Sequence, residues 1–85
     1  MKEDTYTHIG CDFIGEDNSR ITSVQQVRKS DGKAIATISF VTDDRGLTVT
    51  RSLGIDSVDM VAFRKDAINL MKNSTPQNFR KEQLV

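Results

Sequence analysis

The chain has 85 residues, 36% hydrophobic and 28% charged, with twelve basic and twelve acidic side chains and a net charge of zero. That length holds one domain with a thin stability margin, and the neutral balance excludes a simple polycation. Cys11 is the only cysteine, which excludes an intrachain disulfide, and the lack of a leader-like start or a bilayer-length apolar run points to the cytoplasm, or the host cytoplasm if the chain is viral.

Tyr6 to Ile14 alternates, with Thr7, Ile9, Cys11 and Phe13 on one parity, and predicts a first strand. Gly15-Glu16-Asp17-Asn18-Ser19 has the composition of a turn. Ile21 to Arg28 predicts a second strand, with Thr22, Val24 and Gln26 on one side and Ser23, Gln25 and Val27 on the other. Lys29-Ser30-Asp31-Gly32-Lys33 closes a hairpin, the glycine supplying a positive φ. Ala34 to Val41 is dense in β-branched residues and groups Ala36, Ile38 and Phe40 on one face.

Asp43-Asp44-Arg45-Gly46 turns the chain again. In Leu47 to Leu53 the inward parity takes Leu47, Val49 and Leu53, but also Arg51, so either a bulge interrupts the strand or the strand ends near Thr50. Asp56 suits a helix N-cap, with Asp59 in the first turn. From Ser57 to Lys72, Met60, Phe63, Ala67, Leu70 and Met71 share a helical face, flanked by Val61 and Ile68, and Asn73 fits a left-handed terminus. The expectation is one α+β domain over residues 1–73, a four-stranded antiparallel meander followed by one amphipathic helix. Residues 74–85 form a tail, either a short second helix begun by Thr75-Pro76 or disordered.

No constellation in the chain predicts an enzyme. His8 is the only histidine, and strict alternation sets it on the opposite face from Cys11. Further soft ligands for a metal are missing, and so is a glycine-rich phosphate loop. Asp43 and Asp44 read as turn residues. No metal, cofactor or small-molecule substrate is expected.

Charge is unevenly distributed. Residues 1–19 set Lys2 against Glu3, Asp4, Asp12, Glu16 and Asp17, a net of −4. Residues 20–53 set Arg20, Arg28, Lys29, Lys33, Arg45 and Arg51 against Asp31, Asp43 and Asp44, a net of +3. A basic sheet rich in hydroxyls and amides suits single-stranded nucleic acid, which asks for cations along its backbone and rings for its bases. Tyr6, Phe13 and Phe40 are the rings open to that role, although Phe40 shares the parity of Ile38, which favours burial in the core or an interface over stacking.

The strand Arg20-Ile21-Thr22-Ser23-Val24, the Gly32-Lys33 turn, the strand Ala34-Ile35-Ala36-Thr37-Ile38, the Asp43-Asp44-Arg45-Gly46 turn, the closing Gly54-Ile55 and the helix beyond occur in a familiar order. Residues 20–72 thereby resemble the single-stranded-DNA-binding domain of positive-cofactor-four-type transcriptional coactivators, which has bacterial and phage relatives. The resemblance implies a homodimer joined through helix and sheet edge, with two basic sheets forming grooves for single-stranded DNA or RNA. On that reading Arg20, Arg28, Lys29, Lys33 and Arg51 contact phosphates. Gln25, Thr37 and Thr48 hydrogen-bond along the groove, and Tyr6 or Phe40 stacks on bases. Two alternatives stand beside it: a small protein–protein interaction module working as an inhibitor or adaptor, and a structural dimer within a larger complex.

Overall fold

The computed structural model describes residues 4–78. Four strands, β1 (Thr5–Ile14), β2 (Arg20–Arg28), β3 (Ala34–Asp43) and β4 (Gly46–Gly54), form an antiparallel meander, followed by helix α1 (Met60–Lys72). This is the expected α+β architecture. The tail adds a two-residue strand, β5 (Gln77–Asn78), which pairs parallel with Phe13 and Ile14 of β1. The sheet order is β4-β3-β2-β1-β5. Gln77 and Asn78 therefore form a short strand in a tail for which the sequence leaves a short helix or disorder open, and the rest of the tail lies outside the described residues.

The three hairpin turns share one local device. Asp17, Asp31 and Asp43 each accept a hydrogen bond at Oδ1 from the backbone N–H two residues on, of Ser19, Lys33 and Arg45, at 3.1, 3.1 and 2.9 Å. A short carboxylate reaching its own backbone stabilises a reversal before any strand pairs. Gly32 and Gly46 take the positive φ (71° and 119°) that completes two of these turns.

One face of the sheet is covered by α1. Val24, Ala36, Ile38 and Phe40 meet Phe63, Ala67 and Met71, which recur at i, i+4 and i+8 along the helix. Bulges decide which other residues reach this face. A register shift between Ile9 and Cys11 leaves Thr7 and Ile9 on the helix side but puts Cys11 and Phe13 on the opposite one, in line with Ser23 and Ile21. Asp12 takes the inward place, opposite Thr22. A second shift lies in β4: Val49 pairs with Phe40, Arg51 with Ser39 and Leu53 with Thr37. Arg51 and Leu53 therefore face away from the helix, and β4 continues past Thr50 to Gly54.

The helix begins later than its sequence suggests. Val58 N–H donates to Ile55 O at 3.0 Å, closing a separate turn, and Asp59 rather than Asp56 is the N-cap. Its carboxylate accepts from Val61 and Ala62 N–H at 3.1 and 3.2 Å. Asn73 ends the helix at φ −94°, outside the left-handed region, because other groups serve the last carbonyls. Ser74 Oγ donates to Leu70 O at 2.8 Å and Arg20 Nη2 donates to Met71 O at 2.9 Å.

Candidate nucleic-acid interface

The sheet face turned away from α1 is uncovered among the described residues. Its side chains follow from the strand register, in rows that cross the sheet. One row is Phe13, Ile21, Val41 and Thr48; the next is Cys11, Ser23, Ser39 and Arg51; a third is His8, Gln25, Thr37 and Leu53. Tyr6 and Val27 stand at the end nearest the β2–β3 turn. Hydroxyls and an amide fill the middle, with apolar groups around them. No aspartate or glutamate occupies any of these positions. The other described carboxylates lie before β1 (Asp4), at the turns (Glu16, Asp17, Asp31, Asp44), beneath the sheet (Asp12), or on and before the helix (Asp56, Asp59, Asp66), and Asp43, the last residue of β3, continues the parity of Val41 at the turn end of the face.

The residues expected to contact nucleic acid separate into three groups. Gln25, Thr37, Thr48 and Arg51 share the open face, with Arg51 exposed at β4. Arg28, Lys29 and Lys33 cluster at the β2–β3 turn. Arg28 is held by Asp31 at 3.1 Å and Lys29 faces Asp4 at 3.4 Å, whereas Lys33 is exposed and makes no ion pair among the described residues. Arg20 and Phe40 lie on the other side of the sheet.

The Arg20 side chain turns beneath the sheet. Its Nε and Nη2 grip both carboxylate oxygens of Asp12, at 2.7 and 2.6 Å, while Nη2 also donates to Met71 O and to Ser74 O. Thr22, wholly buried, donates its hydroxyl to the same Asp12. The Asp12 side chain is only 7% exposed. The forked hydrogen bond to Asp12 raises the Arg20 pKa further, against the opposing effect of burial. This guanidinium is a structural clamp, and its commitment to Asp12 and the helix end replaces the expected phosphate contact. Phe40 has no exposed surface and packs under α1, so it cannot stack on a base. The rings at open-face positions are Tyr6, 47% exposed, and the half-buried Phe13.

Sequence reasoning missed how the β1 bulge reorders the face. It places His8 and Cys11 on the same side, one row apart, contrary to strict alternation. Among the described residues no group of three histidine, cysteine, aspartate or glutamate side chains is arranged to hold a metal, and no helix is long and apolar enough to cross a membrane.

Asp31 gives the basic turn a measurable signature. The hydrogen bond from Arg28 holds its pKa below the usual value, helped by the Lys33 backbone N–H and the charges of Arg28 and Lys33. A depressed folded-state value contributes stability above the unfolded carboxylate pKa, about 3.9. That contribution is lost as pH falls through the folded-state value. Carboxyl NMR titration should place Asp31 below the ordinary range in the native chain and move it upward in Arg28→Ala. An unchanged midpoint would remove Arg28 as the main cause.

No family model matches the chain, and neither a curated protein nor a solved structure is similar to it.

Proposed function

We propose that the chain binds single-stranded DNA, independent of sequence, through the open face of its sheet. The observation that carries this reading is the separation of charge and polarity between the two sides. A polyanion approaching the open face meets hydroxyls, an amide and Arg51, and a strand carboxylate only at Asp43, at the β3–β4 turn end of the face. Arg51 would neutralise a phosphate, with Lys33 and Arg45 at opposite ends of the strands extending the path. Gln25, Thr37 and Thr48 would donate hydrogen bonds, and Tyr6 or Phe13 would stack on bases.

The proposal includes a homodimer. Among the described residues β4 has no partner on its outer edge, is exposed along nearly its whole length, and carries Leu47 and Leu53 at 37% and 54% exposure. A nine-residue edge without lysine or proline is a ready template for a second strand. A second copy joined there and through the helix would double the number of cations one strand of DNA can reach.

Fluorescence anisotropy with an oligo-dT probe tests the reading, with oligo-U as a parallel arm to separate DNA from RNA preference. Binding should weaken as salt rises, because each phosphate contact releases counterions. Arg51→Ala should bind less tightly and reduce the salt slope by about 1 while the thermal midpoint stays unchanged. An affinity weaker than about 100 μM at low salt would reject the proposal, since ordinary non-specific DNA binding exceeds that. Light scattering of the same samples reports the oligomeric state.

A further inference from the structure

A second surface lies at the opposite edge of the sheet. β5 covers β1 only at Phe13 and Ile14, so the outer edge from Thr5 to Asp12 has no strand partner among the described residues. Its polar groups can be assigned. Lys29 N–H donates to Asp4 O at 2.9 Å, which makes Asp4 and Lys29 a hydrogen-bonded pair. Antiparallel pairs alternate, so Thr5, Thr7 and Ile9, opposite Arg28, Gln26 and Val24, turn their N–H and C=O groups away from β2.

This edge runs beside a cavity of about 540 Å³ between the sheet and the first half of α1. The volume lies within the range of ligand pockets. Ile35, Val58, Ala62 and Phe63 give it apolar walls, while Asp59 and Asp66 of the helix side stand with Asp4 around it. No lysine, arginine or histidine borders it among the described residues. Asp4 is partly compensated by Lys29, and Asp59 caps the helix, but Asp66 is exposed and makes no ion pair among the described residues.

The geometry points to this groove as the docking site for an extended peptide of another protein, added to the sheet along β1, with a lysine or arginine side chain entering the cavity. The open backbone groups of Thr5, Thr7 and Ile9 supply the ladder. Alternate side chains of an added strand point to one face, so one of them is delivered to the cavity. Its apolar stem would lie against Val58, Ala62 and Phe63 and its charge would reach Asp66. A carboxylate-bearing strand, or a nucleic acid, would be repelled there.

The probe is the capped peptide Thr-Val-Lys-Val-Thr, titrated into ¹⁵N-labelled full-length chain. Saturable amide shifts at Thr5, Thr7, Ile9, Ala62 and Asp66 are expected, with slowed hydrogen exchange at Thr5, Thr7 and Ile9. Asp66→Lys should weaken binding about tenfold or more, as expected for loss of a charge-assisted contact and reversal of its sign. Thr-Val-Glu-Val-Thr should give no saturable shifts. The idea is overturned if the lysine peptide shifts none of these amides, or if its binding is the same in Asp66→Lys or equalled by the glutamate peptide. Oligo-dT binding at the open face should be unaffected by the peptide, which keeps the two surfaces separable.

Discussion

Replacing Arg20 with alanine is expected to destabilise the chain by about 3–5 kcal/mol, the range for removing one partner of a buried ion pair. The cause is what remains. Asp12, 7% exposed, keeps the Thr22 hydroxyl but loses both guanidinium bonds, and Ser74 O loses the guanidinium donor while Met71 O is left with backbone N–H donors such as that of Ser74. Domains are stable by only about 5–15 kcal/mol in total, so the variant should lose much of its margin. Urea unfolding followed by circular dichroism measures the change. Arg20→Lys should recover part of the loss, because an ammonium keeps the charge without the two-pronged geometry. A loss below about 1 kcal/mol, the level of an exposed ion pair, would show that the clamp is ornamental. The same variant separates structure from binding: a phosphate-contacting arginine would lower DNA affinity and leave the urea midpoint alone.

Phe40→Ala is expected to cost about 3–5 kcal/mol as well, by a different route. Phe40 is the largest of the fully buried side chains and lies in the cluster that joins Ile38 and Val24 to the helix. Truncation leaves a cavity that close-packed neighbours fill only in part. Phe40→Leu, which retains more of the volume, should cost markedly less. A base-stacking ring would give the reverse pattern, with oligo-dT affinity lost and the urea midpoint retained, and that outcome would overturn the assignment of Phe40 to the core.

The meander and its helix were legible because their signals are local. Asp31-Gly32 and Arg45-Gly46 mark turns through side-chain and backbone preferences that act within a few residues. Alternation in Ala36, Ile38 and Phe40, and helical spacing in Phe63, Ala67 and Met71, report burial directly. The bulges were legible only in part. Arg51 on an inward parity flags the one in β4, while the one at Gly10 leaves no such mark, because Thr7, Ile9, Cys11 and Phe13 alternate without a break along the sequence.

The candidate site suffered more than the fold, and for one reason. Summing charge over residues 20–53 treats each arginine as surface, yet Arg20 is committed to an aspartate eight positions away and to carbonyls more than fifty positions away. Nothing in a linear pattern reports that neighbourhood. The helix start was displaced for a related reason: Asp56 and Asp59 are equally good caps by type, and the turn closed by Ile55 and Val58 selects the later one.

The Arg20 hydrogen bonds to Met71 and Ser74 join positions 51 and 54 residues apart, whereas the hairpins join neighbours in the chain. Short-range reversals close first and long loops close late, because closing a long loop costs more chain entropy. The bonds of the guanidinium to the helix end therefore form a latch fastened late, whereas its grip on Asp12, eight positions away, lies within the β1–β2 hairpin. Stopped-flow chevrons of Arg20→Ala divide its effect: the share carried by the helix-end bonds should appear as faster unfolding, and the share carried by Asp12 as slower refolding.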